Sequence, residues 1–217
     1  MIKLSTIDQC LISTLTRLKF ATREQLAYWC KTPSVTIFKH LATLEEARLV
    51  AAHRHRRPAI WKIKPLAAAL MLTSRPSGGR QSSLSVMTHA CHTNEVEIML
   101  NKDPDSKGFR FMEQTELFKR GLNPAHGEHV GVDDAKKAYL VLLDDYTMKP
   151  ERIGHAFARA HHPPRQLFSG NRNLKYSQIV NYYIVATTDE FRAAQHATWI
   201  KRHEIPARVI TIKPLWI

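Results

Sequence analysis

Ser34-Val35-Thr36-Ile37-Phe38-Lys39-His40-Leu41-Ala42-Thr43-Leu44-Glu45-Glu46-Ala47-Arg48-Leu49-Val50 decides how the chain is read. Ser34 reads as an N-cap. Val35, Phe38, Leu41 and Leu44 recur at helical spacing, which predicts a helix over 34–47 with one apolar stripe. Thr36, Lys39, His40 and Thr43 then fall on the polar side. Leu49 to Ala52 leaves the helix as a strand.

Outward from this run, more helix precedes it and a hairpin follows. Ile7, Leu11, Leu15 and Leu18 predict a first helix near 5–19. Thr22-x-x-Gln25 reads as a capping box opening a second helix, 22–30, with Leu26, Trp29 and Cys30 turned inward. Lys31-Thr32-Pro33 is a turn. Past the third helix, His53 to Pro58 is a basic turn and Ala59 to Ile63 a returning strand. Pro65 opens a short helix, 66–72. Three helices and a basic hairpin are the order of a winged helix-turn-helix, expected over 1–73.

Charge supports that placement. The 217 residues carry a net +13. Residues 1–75 hold 13 Lys or Arg against Asp8, Glu24, Glu45 and Glu46, a balance of +9. Residues 76–217 carry the other +4. A small domain so basic is suited to a polyanion, and double-stranded DNA is the expected partner. Ser34, Thr36, Lys39, His40 and Thr43 are the candidates for groove contact. Arg54, His55, Arg56 and Arg57 at the hairpin tip are candidates for phosphate contact. No apolar run reaches the ~18 residues of a membrane span, so no membrane partner is expected. The start of the chain lacks a signal-peptide core. Cys10, Cys30 and Cys91 are odd in number and lack CxxC spacing, which fits a reduced, cytoplasmic setting and not a thiolate zinc site.

The polar stretch 74–83 (Ser74-Arg75-Pro76-Ser77-Gly78-Gly79-Arg80-Gln81-Ser82-Ser83) reads as a linker to a second domain, 84–217. A helix is expected over 84–101, on Val86, Ala90, Val96 and Leu100. Phe109 to Phe118 alternates like a strand, and 129–132 forms another. Ala138 to Leu143 is almost wholly apolar, hence a central strand. A helix from Pro150 to about His162, a strand over 179–185, a helix capped by Thr188 and a last strand over 209–212 complete the order. Strands separated by helices imply parallel crossovers in a mixed α/β sheet.

His92-Thr93-Asn94-Glu95-Val96, and Tyr139 to Tyr146 with acids ending a central strand, carry a resemblance. In architecture the chain resembles the PD-(D/E)XK nuclease-like fold. With its amino-terminal winged helix it looks like the replication-relaxation family and the MOBC-type relaxases of mobilisable plasmids. The resemblance implies an origin-recognising relaxase acting in plasmid mobilisation, conjugation or replication. Nicking would be assisted by Mg²⁺ or Mn²⁺, and other mobilisation or replication proteins would be partners. Glu128, Asp144, Asp145, Glu95 and His129 are the candidate metal ligands, and Tyr146, Asp144 and Lys149 the candidate catalytic groups. Two departures stand out. Arg48 occupies a position where winged-helix proteins commonly carry glycine. Tyr146 stands where the nuclease lysine is expected. The second leaves two readings: tyrosine as nucleophile, or a non-catalytic regulator with a degenerate nuclease-like domain.

Overall fold

Ser5 starts the first helix by accepting the Asp8 amide at 3.2 Å, while the Asp8 carboxylate accepts the Ser5 amide at 2.9 Å. This reciprocal box satisfies two of the amides that a helix start leaves orphaned. The computed structural model describes residues 4–54, 57–70, 82–120, 122, 124, 127–144, 148–161, 180 and 182–215. The chain divides into two compact units, 1–95 with 215–217, and 96–214. The division falls inside a helix, past the stretch expected as a linker, of which 74–81 lies outside the described residues.

The first unit runs α1 (Thr6–Leu18), β1 (Phe20–Thr22), α2 (Arg23–Trp29), α3 (Ser34–Glu46), β2 (Val50–His53), β3 (Ile60–Ile63) and α4 (Pro65–Leu70). Thr22 closes the capping box with Gln25 as expected. The three-residue β1 was not expected, being too short to show a period. It pairs with β3, giving an antiparallel sheet in the order β1-β3-β2. Leu11, Ile12, Leu15, Leu26, Ile37 and Leu41 are fully buried in one core. Each such side chain contributes roughly 1.5–3 kcal/mol by leaving water.

α3 departs from its expected orientation. Its buried residues are Ile37, Leu41 and Leu44, whereas Val35 and Phe38 are 69% and 52% exposed. The inward stripe therefore begins at Ile37, one position from Phe38. The N-cap is Pro33, without a side-chain bond; Ser34 is the first helical residue. Arg48 takes φ +60°, the left-handed exit that glycine adopts without strain.

α5 (Leu84–Lys102) contributes to both units. In the first, Gln25 donates to the Cys91 carbonyl at 2.8 Å and Asn94 to the Phe20 carbonyl at 2.7 Å. Val86, expected on the apolar face, is exposed; Met87 and Cys91 are buried.

The second unit continues with β4 (Arg110–Phe111), α6 (Gln114–Lys119), β5 (Glu128–Val132), β6 (Ala138–Asp144), α7 (Glu151–His161), β7 (Tyr182–Thr187), α8 (Glu190–Arg202) and β8 (Ala207–Thr211). Its five strands lie in the order β4-β5-β6-β7-β8. β4, β5 and β6 pair antiparallel; β6, β7 and β8 pair parallel. All seven residues of β6 are buried, as its apolar run requires. Phe109 to Phe118 is not one strand. The Glu116 carboxylate takes Arg110 at 2.9 Å and, one helical turn on, Arg120 at 3.3 Å, which favours helix over 114–119. Asp189, not Thr188, caps α8 by accepting the Arg192 amide. Among the described residues, no helix is long and apolar enough to cross a membrane.

Candidate nucleic-acid interface and buried acidic centre

The open face of α3 carries Val35, Phe38, Lys39 and Thr43. Val35 and Phe38 are apolar, Lys39 is a cation, Glu46 at the end of the helix is an exposed acid, and the Thr43 hydroxyl donates back to the Lys39 carbonyl at 3.3 Å. The Arg23 guanidinium lies over the Phe38 ring at 5.9 Å, adding a second cation beside the first turns of the helix. Ser34 and Thr36 are half-buried, and the Ser34 hydroxyl is withdrawn from solvent. His40 is committed elsewhere. Its Nδ1 lies 2.9 Å from Asp8 Oδ1, tying α3 to α1. Burial pushes the Asp8 carboxyl up, but bonds from Ser5 and His40 outweigh it and hold the group below its ordinary value.

The β2–β3 hairpin is anchored to the same helix. Arg54 meets Glu45 with both guanidinium nitrogens, Nη1 to Oε1 at 2.8 Å. The Ala52 amide donates to Glu45 as well, at 3.3 Å. Chiefly through the Arg54 bonds, the Glu45 carboxyl is held below the usual range. Arg54 also sits 5.5 Å above the Trp61 ring. Arg54 thus braces the hairpin, while Arg57 is exposed. His55 and Arg56 lie outside the described residues.

In the second unit, Asp144 ends β6 fully buried, opposite Thr187 of the parallel neighbour β7. Its Oδ2 takes Arg192 Nε at 2.6 Å and His196 Nε2 at 2.7 Å. Its Oδ1 takes the Met148 amide at 3.0 Å, and Arg192 also donates to the Met148 carbonyl at 2.5 Å. Burial pushes the pKa of the Asp144 carboxyl up, but the bonds from His196, Arg192 and Met148 outweigh it and hold the group ionised below its ordinary range.

Of the expected metal ligands, Glu128 shares a sheet face with Asp144. It pairs with Leu142, and alternation returns Asp144 to the Leu142 side. His129 pairs with Val141 on the other face and lies against Phe111, 5.3 Å between rings. Glu95 belongs to the first unit, where it accepts from Gln25 at 3.2 Å. Lys149 is exposed. Asp145 and Tyr146 lie outside the described residues. Among the described residues, no group of three or more His, Cys, Asp or Glu is placed to hold a metal ion. Mg²⁺ or Mn²⁺ does not fit Asp144 as it stands. Both of its oxygens are engaged, and the Arg192 cation occupies the place where a divalent ion would need negative charge.

The Arg192 and His196 partners escaped the sequence reading. A signal was present: positions four apart share a helix face, and the helix after β7 begins where the parallel strand β6 ends. Compared with family models, curated proteins and solved structures, the chain matches none.

Proposed function

We propose that the chain is a double-stranded-DNA-binding regulator whose first unit is a winged helix-turn-helix. The observation carrying this reading is the open face of α3. Val35, Phe38, Lys39 and Thr43 stand out from a helix whose other side is core, in a segment of charge +9. Val35 and Phe38 are suited to thymine methyl groups in the major groove, and Lys39 to a base edge or phosphate. The hairpin lies along the backbone as a wing, with Arg57 reaching phosphate and Arg54 holding the hairpin to α3.

The second unit is a nuclease-like α/β domain without hydrolytic chemistry at Asp144. An Asp–Arg–His cluster stabilises the end of β6 in the place where the relaxase reading needs an open, metal-binding carboxylate. Its task is to hold DNA or a partner protein for the first unit.

A supercoiled plasmid carrying the protein's own control region tests both halves. With Mg²⁺ or Mn²⁺ present, the protein should protect one site from nuclease digestion and leave the plasmid supercoiled. Relaxed circles bearing protein covalently at one strand end would restore the relaxase reading.

A further inference from the structure

Cys10 on α1 and Cys30 at the end of α2 bring their sulfurs to 2.9 Å across 20 positions of chain. Both residues are partly exposed, unlike Cys91, which is fully buried. Thr14 Oγ1 lies 3.8 Å from the Cys30 sulfur and 4.0 Å from the Cys10 sulfur. Sulfurs in a disulfide stand ~2.05 Å apart, so closure needs a movement of less than about 1 Å. The backbone around Cys30 is well held: its amide donates to the Leu26 carbonyl at 2.9 Å and its carbonyl accepts the Thr32 hydroxyl at 2.9 Å.

We propose that Cys10 and Cys30 form a dithiol–disulfide site that reacts with oxidants of the peroxide class. Burial, with the Cys10 hydrogen bond, pushes the Cys30 thiol up to about 12, so Cys10 is the first to react. Its thiolate sulfur attacks one peroxide oxygen. The S–O bond forms, the O–O bond breaks, and hydroxide leaves and takes a proton to become water. The Cys30 sulfur then attacks the Cys10 sulfenic acid. The S–S bond forms, the S–O bond breaks, and the departing hydroxide carries off the Cys30 proton as a second water. Two thiols are oxidised by two electrons and one peroxide is reduced. The bond ties α1 to the turn Lys31-Thr32-Pro33 that leads into α3.

The reduced full-length protein is treated with hydrogen peroxide, alkylated, and read by intact mass and peptide mapping. The expected product lacks two hydrogens, carries one cross-link joining positions 10 and 30, and reverts with dithiothreitol. Its thermal midpoint is higher than that of the reduced protein. Cys91→Ser keeps the cross-link and the shift; Cys10→Ser and Cys30→Ser lose both. The proposal is overturned by full alkylation of Cys10 and Cys30 after oxidation, by over-oxidised Cys10 without a cross-link, or by a link through Cys91 or a second chain. The wild-type mass alone decides this, whatever the variants do to folding.

Discussion

Arg192 meets Asp144 across 48 positions of chain, Nε to Oδ2 at 2.6 Å, with the carboxylate fully buried. A carboxylate held this way is a structural anchor, and its variants should behave accordingly. Arg192→Met should cost about 1.5–3 kcal/mol, the usual worth of a hydrogen bond to a charged group, because His196 and the Met148 amide still hold the carboxylate. Asp144→Asn should also destabilise, since it leaves Arg192 and His196 without their anion. In a metal centre of mutually repelling carboxylates, neutralising one would leave the metal-free protein as stable or more so. Urea denaturation of Asp144→Asn in chelator separates the two, and an unchanged midpoint contradicts the anchor.

The same carboxylate sets an acid dependence. Its pKa is lowered in the folded state, so its contribution to stability is fully present above the unfolded value, ~3.9. It is lost as pH falls through the lower folded value, because the unfolded chain binds the proton first. Asp8, lowered beside Ser5 and His40, has the same sign in the first unit. Urea midpoints between about pH 5 and pH 2 should fall less steeply for Asp144→Asn than for the wild type. Parallel curves would mean that Asp144 titrates alike folded and unfolded.

Arg48 supplies a test of the helix exit. A non-glycine residue at φ +60° carries a steric cost of about 1 kcal/mol, so Arg48→Gly should stabilise by a comparable amount, less the added chain entropy. Destabilisation by as much would show that the Arg48 side chain makes contacts outweighing its strain.

Much of the fold is legible in the sequence alone. The helices of the first unit are legible because amphipathic stripes and the Thr22–Gln25 box are local signals, and β6 because the six apolar positions Ala138 to Leu143 leave no other place for it. The apolar spacing misplaces the inward face at the start of α3 by one position, Phe38 for Ile37. Val35, Ile37, Phe38 and Leu41 are all apolar, and spacing alone does not say which of them the core accepts. Asp144 was singled out for its place at a strand end, but its partners come from α8, and only the parallel pairing of β6 with β7 brings them there. His40 and Arg54 read as cations free for DNA. Their partners Asp8 and Glu45 are 32 and 9 positions away, so neither pairing shows in the local sequence.

Glu45 provides a prediction with an unexpected sign. It is an acid on the proposed recognition helix, and it occupies Arg54. Glu45→Gln should raise affinity for any duplex several-fold and steepen the salt dependence by up to about one unit, as Arg54 becomes available to phosphate. The measurement is fluorescence anisotropy across a salt series. Weaker binding with a shallower slope would mean that the hairpin needs the Glu45 brace to reach DNA at all.

Selection of duplexes from a random library by the full-length protein tests the central claim most directly. The wild type should enrich one sequence family, and its selected duplex should bind with a salt-dependent affinity. Lys39→Ala and Phe38→Ala should each weaken that duplex by about 1–3 kcal/mol while leaving random DNA nearly unaffected. Replacing its thymines with deoxyuridine should weaken it too, through loss of the methyl groups facing Val35 and Phe38. If no sequence is enriched, or if one is enriched and both α3 variants bind it like the wild type, α3 is not a DNA-reading helix and the account fails.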